Sequence, residues 1–187
     1  MTEQATLEAK LAAEQKQADV DHHKPTAGAM VNHVLSNHMV LNVKLHQISW
    51  FIKGPNAESY KNVLKETIKE NNEWFDKIGE QLLDEAELPS STMAEYSEYT
   101  MLEEHGENKY MDAEEMLNTV VEDLTTDNMF VTRAIKLAEK EDRPFFQQVL
   151  VEMLGWNNHQ IRIYQALLGK TAAEGLGDDE DDDEDFD

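Results

Sequence analysis

Apolar residues recur every three or four positions through four long stretches, and this spacing restricts the fold more than any other feature of the sequence. The first stripe is Val31, Leu35, His38, Leu41, Leu45, Ile48 and Ile52, which fall on one side of a helix. "KGP", Lys53 to Pro55, then stops it, because glycine is a poor helix former and proline offers no N–H. A second stripe runs Tyr60, Leu64, Ile68, Asn71, Phe75, Ile78, Leu82. A third begins near Asp112 with Met116, Val120, Leu124, Val131, Ile135 and Ala138, and a fourth carries Phe146, Val149, Met153, Trp156, Ile163 and Leu167 up to Gly169. Helices of roughly 25 residues are twice the usual length, and each must hide its stripe against others. The expectation is an all-α four-helix bundle. No alternating strand pattern and no internal repeat competes with it.

The connection between the second and third helices is long and carries "ELPSSTMAEYSEYT". Thr92 and Glu95 have the i, i+3 spacing of a capping box, so a short helix is expected inside a crossover connection. Residues 1–26 read as an N-terminal extension, helical with a thin apolar side of Ala5, Leu7, Leu11 and Ala12. Residues 27–169 read as the bundle domain and 170–187 as a disordered acidic tail.

Charge and composition narrow the function. The last ten residues, "DDEDDDEDFD", hold nine acids, and without them the formal charge of −23 becomes −14. Such a run repels itself and stays solvated, and it opposes contact with nucleic-acid phosphate. The absence of cysteine excludes disulfides and thiolate metal sites. A polar N-terminus and no apolar window of membrane-spanning length give the expectation of a cytoplasmic protein with no membrane partner.

Four blocks in order, "VLNVKLHQISWFIKGP", "DKIGEQLL", "LPSSTMAEYSE" and "LGWNNHQIRIYQALLG", resemble the Dps family, the DNA-binding mini-ferritins of starved cells, over about residues 30–169. The resemblance implies a ferritin-like bundle with a short helix in the middle connection, a hollow dodecameric shell, iron oxidation and storage, DNA binding and a role in stress.

The resemblance also implies an iron site shared between two subunits. One subunit would supply a histidine before the tryptophan, then a histidine and an aspartate on the second helix. Aligned without gaps from Trp50, these fall on Ser49, Lys61 and Lys65. The second subunit's aspartate and glutamate fall on Asp76 and Glu80, which are intact, so three of the five ligand positions are replaced. A charged lysine has donors and no acceptor and cannot ligate iron. The expected function is therefore a shell protecting DNA or sequestering iron, with its ferroxidase site largely lost. The alternative is an active mini-ferritin that uses Asp76 and Glu80 with further ligands. Lys61, Lys65, Asp76 and Glu80 share one helix face, so Lys61 and Lys65 are expected to pair with those carboxylates across subunits.

Elsewhere, no Glu-x-x-His occurs, which removes the di-iron motif of ordinary ferritin bundles. His46 is a candidate for a relocated site, His38 reads as a core or interface histidine, and Asp19, His22 and His23 form a small cluster. The turn "EKEDRPFFQQ", with Asp142, is less acidic than an iron-entry pore of the family would imply. For DNA, the candidates are Lys10, Lys16 and Lys24 of the extension, set against Glu3, Glu8, Glu14, Asp19 and Asp21. The net charge of the extension is −2, so binding would depend on many copies acting together.

Overall fold

The computed structural model describes residues 3–23 and 25–176, with the backbone alone at residues 3–5, 18, 19 and 21–23. The bundle is made by α2 (Ala27–Phe51), α3 (Ala57–Asp84), α5 (Ala113–Lys140) and α6 (Pro144–Leu167). Helix α1 (Glu3–His23) lies outside it and touches α2 sparingly. The crossover holds α4 (Met93–Tyr99) and a 3-10 turn at Gly106–Tyr110, both against α2. Helix α2 packs on α3 and α5, and α5 packs on α6. No strand occurs among the described residues, and none of the described helices is long and apolar enough to cross a membrane.

Local chemistry sets the helix ends. Thr26 caps α2 by accepting from the Ala29 N–H at 3.1 Å. Past Phe51 the chain turns at Gly54, whose φ of +112° suits a residue without Cβ. Thr92 with Glu95 and Asp112 with Glu115 both form complete capping boxes, starting α4 and α5. Pro144 opens α6, where a missing N–H costs nothing, and Gly169 follows its end at φ +72°.

Two apolar clusters fill the bundle. One includes Val31, Leu35, Ile78, Leu82, Val131, Phe146 and Met153; the other includes Leu41, Leu45, Leu64, Leu117, Leu124, Ile161 and Tyr164. Between them each of the four bundle helices contributes a buried polar residue: His38 and Asn37 from α2, Asn71 from α3, Asp127 from α5 and Asn157 from α6. Burial of such groups is costly unless they bond one another. Asp127 accepts from Asn37 Nδ2 at 2.9 Å and Asn157 Nδ2 at 2.8 Å. His38 Nε2 lies 3.3 Å from Asp127, and Asn71 donates to the His38 carbonyl at 2.9 Å. Asn37 Oδ1 accepts from the Met101 N–H at 2.8 Å and the Thr100 hydroxyl at 3.2 Å, tying the crossover to this layer.

The buried line of α6 departs from the expected stripe. After Trp156 it runs through Asn157, Ile161 and Tyr164, and Ile163 is only half-buried. The polar layer is the cause: Asn157 and Gln160 occupy inward positions that an apolar count skips.

Candidate metal centre

The last two turns of α2 place His46, Ser49 and Trp50 on one side, and the turn at Gly54 brings the start of α3 back alongside them. Together with Glu58, Lys61, Lys65 and Ile68 they line an open hollow of about 580 Å³. His46 Nδ1 donates to the Asn42 carbonyl at 2.8 Å, which leaves Nε2 as the ring's acceptor. Its ring meets Trp50 edge-on at 5.6 Å, and Trp50 is 71% exposed. Ser49 is buried. Lys61 is half-buried, 3.7 Å from Glu58, and Lys65 is exposed with no side-chain partner among the described residues.

The structure thus brings Ser49, Lys61 and Lys65 together. It leaves Asp76 and Glu80 outside the hollow, exposed further along α3, with no side-chain partner among the described residues. Chemically, the hollow offers one imidazole nitrogen, one hydroxyl and one carboxylate beside two ammonium groups. Ammonium groups cannot ligate a metal ion, and two of them against one carboxylate repel a divalent cation. This donor set does not fit iron. Among the described residues no three His, Cys, Asp or Glu side chains gather as a metal site.

The other candidates are dispersed. His38 is buried in the polar layer. His33 Nδ1 contacts the Tyr99 carbonyl at 2.6 Å, and His159 lies against Arg162. Asp142 is exposed, with φ +55°. Its neighbour Glu141 accepts from the Ala27 N–H at 2.8 Å and sits 3.3 Å from Arg143, which also meets Glu87 at 2.7 Å. Carboxylates at this turn therefore hold the start of α2 and one arginine. Sequence reasoning passed over Arg143, whose partners Glu85 and Glu87 lie far away in the chain. Lys10 and Lys16 are exposed on α1. Lys24, the side chains of Asp19, His22 and His23, and the acidic tail from residue 177 lie outside the described residues.

The fold agrees with known proteins. A family profile described as a ferritin-like domain matches residues 28–173. The DNA protection during starvation protein of Listeria innocua is 27% identical over 144 residues, covering 77% of this chain and 92% of that protein. The crystal structure of the Lactococcus lactis MG1363 DpsB protein superposes with a TM-score of 0.85 at 39% identity, covering 91% of this chain and 98% of that one. The DpsA protein of the same strain gives 0.82 at 37%, with 88% and 97% covered. With a ferritin-like profile over residues 28–173 and this similarity to DpsB over nearly its whole length, the chain belongs to the Dps family.

Proposed function

We propose that this chain forms a Dps-like hollow dodecameric shell in the cytoplasm that protects DNA or sequesters iron, or both, under stress, with the intersubunit ferroxidase site largely lost. The observation that carries the loss is the hollow itself, where Ser49, Lys61 and Lys65 stand together at the positions the family gives to iron ligands. Iron would then be cargo held by the shell rather than a substrate oxidised at this hollow. The support for DNA protection is membership in the family and the name of the Listeria innocua relative, together with exposed Lys10 and Lys16 on a helix outside the bundle.

A competing reading keeps an iron-oxidising centre on Asp76 and Glu80, which are exposed, four residues apart and unpartnered among the described residues. Two carboxylates alone bind a hard cation weakly. Restoring the ligands separates the two readings. If the hollow is a dismantled site, Ser49→His with Lys61→His and Lys65→Asp gains peroxide-driven iron(II) oxidation over the unmodified chain. If Asp76 and Glu80 already work with other ligands, the unmodified chain oxidises iron and the triple variant adds little.

A further inference from the structure

The donor set that disfavours a metal ion in the hollow favours an anion. Lys61 and Lys65 line it with two ammonium groups, each a bundle of N–H donors with no acceptor. Lys65 has no side-chain partner among the described residues. Lys61 meets Glu58 at 3.7 Å, but that carboxylate is well exposed and water weakens such a pair. Both ammonium groups are thus available to a ligand.

Ser49 and His46 point to the same ligand class independently. Ser49 is 9% exposed and lines the hollow, yet its hydroxyl makes no hydrogen bond among the described residues. A helical serine often donates back to the carbonyl four residues earlier, as Ser36 does to Asn32 at 2.8 Å. Ser49 does not, so a nearly buried donor faces the hollow, where an oxyanion would accept it. His46 supplies the opposite polarity. Its Nδ1 donates to the Asn42 carbonyl at 2.8 Å, so Nε2, on the ring edge turned away from that backbone, is an acceptor.

We infer that this hollow binds inorganic phosphate. The Lys61 and Lys65 ammonium groups and the Ser49 hydroxyl donate to phosphate oxygens. The hydroxyl that phosphate keeps at neutral pH donates to His46 Nε2. Sulfate has the same tetrahedral shape but no hydroxyl, so one of its oxygens would face that lone pair, acceptor against acceptor. A phosphate monoester, with a second pKa of about 6, has also lost the hydroxyl at pH 7.5. The assignment rests on the reading that the hollow no longer takes metal, and it names what takes the metal's place.

Calorimetric titration of the assembled, full-length chain in phosphate-free buffer at pH 7.5 and constant ionic strength tests this. Inorganic phosphate should bind saturably at one site per chain. Sulfate and a nucleoside monophosphate should each bind at least about tenfold more weakly. Lys61→Gln with Lys65→Gln should abolish binding, and Ser49→Ala should weaken it about tenfold. If the double variant fails to assemble, Lys65→Gln alone, at an exposed helix position, carries the test with a loss of about tenfold. No saturable binding to the native chain, or undiminished binding to the lysine variant, overturns the inference. Sulfate binding as tightly as phosphate overturns it too, as does a tighter monophosphate, which would give the site to a nucleotide with its base on Trp50. Binding that appears only after Asp76→Asn with Glu80→Gln overturns it as well, because the second copy's carboxylates would then already hold the lysines. Iron(II) takes no part in the titration, so a retained oxidase and a failure to bind phosphate are told apart.

Discussion

Lys44 Nζ sits 2.7 Å from Asp123 Oδ1 inside the bundle, and the same ammonium donates to the Glu103 carbonyl at 2.7 Å. One buried cation thus joins α2, α5 and the crossover. Burial pushes the Asp123 carboxyl up to about 6 from an ordinary 3.8, against the opposing pull of Lys44. Lys44→Met removes the one cation at contact distance from that carboxylate among the described residues. It is expected to cost about 3 kcal/mol at pH 7 and less at pH 5, where Asp123 carries its proton. Urea unfolding at the two pH values checks this, and equal losses at both would count against it.

The same pair gives a pH dependence of defined sign. Folded Asp123 holds its proton more tightly than unfolded Asp123. Its contribution to stability is therefore full below about 3.8 and is lost as pH rises through about 6. Comparing the native chain with Asp123→Asn isolates this group from the other carboxylates. Their difference in unfolding free energy should change between those pH values and stay level above pH 7. A difference that is flat across the window would show that burial does not control this carboxyl.

Glu95 supplies a dependence of the opposite sign. Burial acts to raise its carboxyl, but N–H groups of Ser91 and Thr92 and the Thr92 hydroxyl outweigh it and hold the group below its ordinary range. The Ser91 and Thr92 donations are 2.7 and 2.8 Å long. The stabilisation is present above the unfolded pKa and fades as pH falls through the folded one. Glu95→Ala should speed hydrogen exchange in α4 at pH 7, with a loss of about 1 kcal/mol in local stability, and the difference should shrink toward pH 3. Unchanged exchange at pH 7 would mean that the box does not hold α4.

These two sites differ in how far the sequence reveals them. The Thr92–Glu95 box is local, three residues apart, and could be read before any coordinates, as could the stripe through Leu35, His38 and Leu41. Lys44 with Asp123 and Asn37 with Asp127 join residues 79 and 90 positions apart. A charged letter on a helix ordinarily reads as a solvated face, and nothing nearby signals that these turn inward. The hollow falls between these cases. Its members come from two helices joined by a tight turn, and no spacing rule links Ser49 to Lys65. The family resemblance located them, while the crowding of two ammonium groups beside His46 and Trp50 became visible only in three dimensions. Arg143, held by Glu85 and Glu87 just after α3 and by Glu141 two residues before it, was legible by neither route.

DNA binding should depend on the N-terminal helix. Lys10 and Lys16 are exposed on α1, but six residues apart they point to different sides of the helix. Contact with phosphate would therefore be weak per copy and strongly salt-dependent. A salt-titrated gel shift should show binding by the full chain at low ionic strength, a loss of at least about tenfold on Lys10→Glu with Lys16→Glu, and none after removal of residues 1–24. Equal binding with and without the extension would move the DNA contact elsewhere.

The proposed loss of the ferroxidase site is tested most directly by the rate of iron(II) oxidation by hydrogen peroxide in the presence of the assembled, full-length chain, set against a protein-free control. With Ser49, Lys61 and Lys65 in place of ligands, the predicted rate equals the control, and Asp76→Ala with Glu80→Ala leaves it unchanged. A protein-dependent rate that this double variant abolishes would contradict the account, because it would show that two carboxylates still work as part of an oxidising centre.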